Sequence, residues 1–242
     1  MRLAILSDIH GNAVALEEVL SDIANRNVDR MICLGDIATL GPDPLKVLDI
    51  LQSIDCEFVS GNHDAYINKP SLMDDYITIP ILGDSIRWCA NLLSESHRNF
   101  LASFKTHIRI RPDDETDILF YHGSPQSNTD DLLAGTPDAD VDRYIAGHES
   151  NIMVGGHTHI PMLRFHHGNT IVNAGSVGFP FREYAMGKVP SILACAQYVI
   201  LEIKKGACSV DFISINLDRG ILARAAEHTD NPLRDALIAL YS

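Results

Sequence analysis

The chain lacks any apolar stretch approaching the roughly 18 residues a membrane span requires. The run Leu3 to Leu6 is cut off by Ser7, Asp8 and His10, too soon for the core of a signal peptide. No Cys-x-x-Cys occurs. The five cysteines (Cys33, Cys56, Cys89, Cys195, Cys208) are odd in number and scattered, which argues against a disulfide framework and for the reduced thiols of a cytoplasmic protein. Positive charge is scarce: 19 Lys and Arg stand against 32 Asp and Glu, for a formal net charge of −13. Neither a broad nucleic-acid surface nor a patch for anionic membranes is expected from that balance, since both need clustered Lys and Arg. Internal repeats, low-complexity tracts and linkers are also missing, so residues 1–242 are expected to form one domain.

What is present is an ordinary globular balance, 46% apolar and 21% charged over 242 residues, enough to bury a substantial core. Leu3 to Leu6, Met31 to Leu34 and Phe58-Val59 read as strands. Between them, Val14, Leu16, Val19, Leu20 and Ile23 form one helical stripe behind an Asn12 cap, and Leu45, Val47, Leu48, Ile50 and Leu51 form another behind Pro44. Strand and helix in alternation predict a parallel α/β sheet. Residues 65–104 read as helical. The second half is strand-rich: 107–110, 118–121, 152–154, 162–165, 170–172, 197–203 and 208–213. Residues 166–169 form a hairpin turn with Gly168-Asn169 as its dipeptide. Two helical pieces close the chain, divided near Asp230-Asn231-Pro232. The expected architecture is α/β: two mixed sheets packed face to face with helices outside, a four-layer αββα sandwich.

Five short segments follow apolar runs: Asp8-x-His10, Gly35-Asp36, Gly61-Asn62-His63-Asp64, His122-Gly123 and Gly156-His157-Thr158-His159. Each is a strand-to-loop junction, where open α/β sheets place their ligands. Each offers nitrogen or oxygen donors and none a thiolate. Carboxylates mixed with imidazoles suit Mn²⁺, Fe or Zn²⁺ better than Ca²⁺ or Cu(I). Any one of these histidines alone is more often a hydrogen-bonded structural residue, and Asp36 or Asn62 alone a turn or cap. Taken together they require several independent coincidences.

The set resembles the calcineurin-like metallophosphoesterase family, whose D-x-H, G-D, G-N-H-D/E, H and G-H-x-H motifs occur in this order. The resemblance covers roughly residues 1–203. It implies the αββα sandwich with the site at the strand ends, and a pair of divalent ions, Mn foremost with Fe, Zn or Ni as alternatives. Carried over by position, Asp8, His10 and His159 would hold one ion and Asn62, His122 and His157 the other, with Asp36 bridging. The implied activity is phosphoester hydrolysis by a metal-activated hydroxide.

His63 adjoins Asn62, and in extended geometry its ring would point away from that ligand toward substrate, where it is a candidate to protonate the leaving alkoxide or to stabilise its charge. Asp64 is read as orienting His63 or capping the following helix. His97, His107, His148, His166, His167 and His228 fit no motif and read as surface or turn residues. Asn173 to Gly178 resembles the N-P-G-S-V segment of small bacterial and archaeal relatives, with Ala174 in place of proline; a plain glycine-rich turn is the competing reading. Arg182, just beyond, is a candidate substrate contact, although a surface salt bridge is the commoner role of a lone arginine.

Gly35-Asp36 continues without the Asp-Arg of protein serine/threonine phosphatases. Gly41-Pro42-Asp43-Pro44, with Leu93 to Leu101, looks instead like the branch named for diadenosine tetraphosphatases. A small phosphorylated substrate is therefore expected, of phosphodiester or nucleotide type, with phosphomonoesters and dinucleoside polyphosphates as alternatives. Residues 65–104 are long enough for a helical cap over the site. A non-catalytic binding scaffold, as some relatives are in the retromer coat, is the reading from another class. The apolar stripe Leu233, Leu237, Ile238, Leu240 and Tyr241 leaves room for homo-oligomer pairing.

Overall fold

Side chains alternate along a strand, and in the computed structural model this parts the first strand between two cores. The structure describes residues 1–74, 76–148, 150–184 and 190–242. From β1 (Arg2–Leu6), Leu3 and Ile5 enter one cluster and Ala4 and Leu6 another. The first sheet has β1 at its centre. On one side lie β2 (Arg30–Cys33) and β3 (Glu57–Phe58), both parallel; on the other lie β9 (Cys195–Lys204) and β10 (Ala207–Asn216), both antiparallel to their neighbours. The second sheet runs β4 (Ile108–Ile110), β5 (Ile118–Phe120), β6 (Ile152–Gly155), β8 (Asn169–Asn173) and β7 (Met162–His166), in that order. Within it β5, β6 and β8 are parallel.

Leu3, Ile5 and Ile32 of the first sheet meet Ile118, Phe120, Val154 and Val172 of the second, so the sheets pack face to face. Each fully buried aliphatic side chain there contributes about 1.5–3 kcal/mol. Ala4, Leu6 and Cys33 face the other way, onto α1 (Ala13–Ile23) and α2 (Pro44–Gln52) through Leu16, Val19, Val47 and Leu48. Leu119, Tyr121, Met153 and Ile171 face outward onto Val141 and Ile145 of α6 (Asp138–Ile145). Helices, sheet, sheet, helix is the four-layer α/β arrangement expected.

The two anticipated starts hold: the Asn12 side chain accepts from the Ala15 N–H at 3.1 Å, and Pro44 opens α2. α6 was not foreseen, because between its acidic residues only Val141 and Ile145 are buried, too few to print a period. The β7–β8 hairpin turns within residues 166–169 as expected, with His167 and Gly168 at its centre. Both turn residues have positive φ (47° and 85°), as a two-residue primed turn demands, and Asn169 already belongs to β8.

Residues 65–104 contain the end of α3 (Asn62–Asn68), a 3-10 turn at Pro70–Met73, α4 (Pro80–Leu92) and α5 (Glu95–Ala102). Cys89, Leu93 and Leu101 share one cluster with Leu48 and Leu51, so α4 and α5 are built into the outer helical layer. What faces the strand ends is the shorter stretch around Tyr66 and Tyr76. At the carboxyl end, α7 (Arg219–Glu227) and α8 (Arg234–Tyr241) pack on each other. Leu237 lies buried against Ala226 and Phe179, so much of the terminal apolar stripe is covered within the chain. Among the described residues no helix is long and apolar enough to cross a membrane, and all five cysteines are free.

Candidate metal centre

The carboxyl ends of β1, β2, β5 and β6 and the start of α3 deliver their loops to one place. All seven candidate ligands gather there. Asp8, His10 and His159 form one group whose donor atoms lie within 4.8 Å of one another; Asp36, His122 and His157 form a second. The two adjoin. Asp36 Oδ2 stands 3.3 Å from His122 Nε2 and 3.8 Å from His10 Nε2, between the groups. Asn62 Oδ1 lies 3.0 Å from His122 Nε2, while its amide nitrogen donates to the Tyr66 hydroxyl at 3.3 Å. The Asn62 oxygen thus faces the second group.

The backbone is bent to make this possible. Among the described residues nine non-glycine positions have left-handed φ, and five of them are Asp8, His10, Asp36, His157 and His159. Such conformations are costly for L-residues and persist where the surroundings impose them. Two motif glycines are explained by closeness. A Cβ at Gly61 would collide with the Asp36 carboxylate, and one at Gly156 with Ser7 and Asp8. Below the Asp8 loop, the Ser176 hydroxyl and the Gly178 N–H donate to the Asp8 carbonyl at 2.7 and 3.0 Å, so the 173–178 segment underlies the site.

The rings are held in defined tautomers. His122 Nδ1 donates to the Leu34 carbonyl and His159 Nδ1 to the Phe179 carbonyl, each at 2.7 Å, which turns their Nε2 atoms inward. Phe181 stacks on His159 at 4.3 Å between ring centroids. Asp64 does more than cap a helix. Its Oδ2 accepts from the Asp36 and Gly61 N–H groups at 2.8 and 2.9 Å, and its Oδ1 accepts from the Ile37 N–H at 3.1 Å. It therefore ties the Gly35-Asp36 turn to the start of α3.

Protonation follows from burial and proximity. Burial disfavours the charged form of His10 and the adjacent His159 adds to it, bringing His10 down to about 3. His157 is likewise brought down to about 3, by burial and then His122. Burial opposes ionisation of Asp8, but His159 beside it outweighs that and holds the carboxyl at about 2. Burial also opposes Asp36, which His122 and His63 nonetheless hold well below the usual carboxylate range. His122 is the exception: burial lowers it, yet Asp36 raises it to about 10. A proton there occupies the position a cation would take. Among the described residues Asp8 Oδ1, 3.3 Å from His159 Nε2, and His10 Nδ1 are buried without a hydrogen bond of good geometry, a costly state for polar atoms. Ionised carboxylates, inward Nε2 atoms and an orphaned carboxylate oxygen together suit divalent cations.

His63 is buried in the same pocket, but not in the extended geometry expected from sequence. Asn62 and His63 open α3, and the first helical turn aims the His63 ring so that its centroid is 5.0 Å from that of His10. Its Nδ1 is 2.8 Å from the hydroxyl of buried Thr39. Thr39 had no signal in sequence beyond its place shortly after Asp36. Two further contacts were also missed. The Tyr76 hydroxyl lies 3.0 Å from His157 Nε2, and Asp131 Oδ1 lies 3.5 Å from the same nitrogen. Asp131 in turn accepts from the Tyr184 hydroxyl. These residues come from loops whose positions only the fold brings to His157. Arg182 is exposed, its N–H donating to the Ser191 carbonyl at 2.9 Å. Among the described residues no contact joins its guanidinium to the ligand set.

Comparison with known proteins agrees with this geometry. The model of the calcineurin-like phosphoesterase superfamily domain matches residues 1–204. An uncharacterized protein of Methanocaldococcus jannaschii is 30% identical over 178 residues, 72% of this chain and 69% of its own. A symmetrical bis(5'-nucleosyl)-tetraphosphatase of Pectobacterium atrosepticum is 31% identical over 101 residues, 36% of each chain. Among solved structures, a metallophosphoesterase from Sphaerobacter thermophilus superposes with a TM-score of 0.75 at 24% identity, over 100% of this chain and 98% of its own.

Proposed function

The chain belongs to the calcineurin-like phosphoesterase superfamily, and from that premise we propose that it is a dinuclear, divalent-metal-dependent phosphoesterase acting on phosphodiester or nucleotide-type substrates. One observation carries the proposal: two adjoining groups of buried donors, with Asp36 between them and Asn62 completing the second. Asp8, His10 and His159 would hold one ion, and Asn62, His122 and His157 the other. Two cations held by these residues would acidify a water for attack on phosphorus and neutralise charge on the phosphoryl oxygens.

The chain's own residues divide the remaining work. With the Thr39 hydroxyl 2.8 Å from His63 Nδ1, the neutral tautomer protonated at Nε2 is the one that Thr39 would hold as donor. Burial lowers the His63 pKa, which favours that neutral ring. As the bond from phosphorus to the leaving oxygen breaks, His63 Nε2–H would hydrogen-bond that oxygen and stabilise its charge, and the oxygen would take its proton from solvent water. Asp131 and Tyr76 fix the outer face of the His157 ring, the supporting role that carboxylates and phenols play behind histidine ligands. Tyr76 is 39% exposed and borders the approach to the site, so the stretch around it, and not the whole of 65–104, is what filters substrates.

Hydrolysis of dinucleoside polyphosphates is the second reading, favoured by the stretch shared with the Pectobacterium tetraphosphatase. A non-catalytic scaffold has no need of a complete ligand set or of His63, and here each position is filled. The test is metal analysis of the purified chain. It is followed by assays with Mn²⁺ and bis-p-nitrophenyl phosphate, p-nitrophenyl phosphate or a dinucleoside polyphosphate. Mn²⁺-dependent hydrolysis greatest on the diester is expected; greatest activity on the polyphosphate would favour the second reading. A metal-replete chain inert toward all three overturns the proposal.

A further inference from the structure

A second convergence of donors lies at the other end of the second sheet. β8 runs parallel to β6, and His166 and His167 precede β8 at its first residue, whereas His157 follows the last residue of β6. The β7–β8 hairpin therefore sits a strand's length, on the order of 15 Å, from the strand ends that carry the buried centre. Successive residues along a strand point to opposite faces, yet here two neighbouring rings turn the same way. The left-handed conformation of His167 (φ 47°) brings its ring centroid to 4.2 Å from that of His166. Asp142, from α6, meets both: its Oδ1 is 2.7 Å from His166 Nε2 and 3.3 Å from His167 Nε2.

Two features set this cluster apart from a chance surface pair. His166 is almost wholly buried, contrary to its reading as a surface residue, with only 3% exposed. Its other nitrogen is backed by a second carboxylate, since Asp138 Oδ1 lies 3.5 Å from Nδ1, and Asp138 is itself held by Arg164 at 2.6 Å. A carboxylate behind the outer nitrogen is the arrangement that orients a histidine for a metal. On the opposite side, Asp142 and His167 face solvent, which leaves open coordination positions for water.

We propose that Asp142, His166 and His167 form a further divalent-cation site, separate from the buried centre, that clips α6 to the β7–β8 hairpin. Two imidazoles and one carboxylate select a borderline ion such as Zn²⁺ or Ni²⁺ over Mg²⁺ or Ca²⁺, whose preferred ligands are all oxygen. An ion held by the two Nε2 atoms and Asp142 Oδ1 would leave the Asp138 carboxylate to accept from His166 Nδ1–H, fixing that ring from behind.

The experiment uses the full chain, stripped by chelator and then equilibrated with buffered free Zn²⁺. Bound metal is counted, and the imidazole resonances of His166 and His167 are followed by NMR. The unsubstituted chain should bind one equivalent more than Asp142→Asn or His167→Ala, and both rings should shift as that equivalent binds. Phosphoesterase activity should be the same in all three. Because the readout is a difference of one equivalent, it stands whatever the buried centre takes up. Equal stoichiometry in the three chains, or rings that do not move in the unsubstituted chain, overturns the proposal. The ring shifts decide the matter even if a variant fails to fold.

Discussion

Aspartate and histidine side chains converge in two regions of this molecule, under opposite conditions. At the strand ends every candidate ligand but His157 is buried, several stand on left-handed backbone, and two rings are held by main-chain carbonyls. At the β7–β8 hairpin, Asp142 and His167 face water, and the only left-handed ligand is one that the turn requires. The difference separates a site organised in advance from one that an ion would have to gather. A buried, strained set is costly without its cation and favours catalysis once loaded, because its donors need not rearrange. A half-exposed set costs little when empty and gains little from being filled.

The comparison would be broken most sharply at Asp36. Asp36→Ala removes the carboxylate between the two buried groups, and hydrolysis of bis-p-nitrophenyl phosphate should fall to background, with metal content reduced. Residual activity near that of the parent chain would mean that the two groups do not work as one. Asp64→Ala probes pre-organisation itself. It strands three buried N–H groups, those of Asp36, Ile37 and Gly61, and should cost on the order of 3 kcal/mol or more in denaturant unfolding. A loss below 1 kcal/mol would show that the turn holds its shape without this support.

His63→Asn separates ion binding from stabilisation of the leaving oxygen. Turnover should drop about 100-fold or more, the usual cost of losing one preorganised donor, with bound metal unchanged; loss of metal instead would make His63 a ligand. Asp131→Asn lies at the solvent edge of the same centre, so it should weaken the second ion by about 10-fold, measurable by chelator competition. An unchanged affinity would confine Asp131 to holding Tyr184. Smallest of all is the expected effect of His167→Ala on turnover, which is none. Any fall in turnover would mean that the hairpin and the buried centre are coupled.

Legibility differed between the two regions for physical reasons. The buried centre showed in sequence because each of its candidate ligands follows an apolar run, often beside a glycine that close packing demands, as at Gly61 and Gly156. The hairpin cluster did not show, because Asp142 lies on a helix with too little apolar periodicity to be recognised. His166 could not be known as buried until α6 covered it. The His63 ring lies in the pocket, but through helical and not extended geometry, since α3 starts one residue before it. Thr39, Tyr76 and Asp131 belong to loops, where local pattern says nothing about what a side chain will touch.

From the order of residues alone came the alternation of strands and helices, the helix starts at Asn12 and Pro44, and the seven donors placed at strand ends. These depend on short-range geometry, a period of two or of 3.6, that a chain carries wherever it goes. Tertiary structure alone decided how those donors divide between two groups, which nitrogen of each ring faces inward, and what stands behind His63 and His157. Those are relations between residues far apart in the chain, 149 positions in the case of His10 and His159, and only the packing of one sheet on the other brings them within reach.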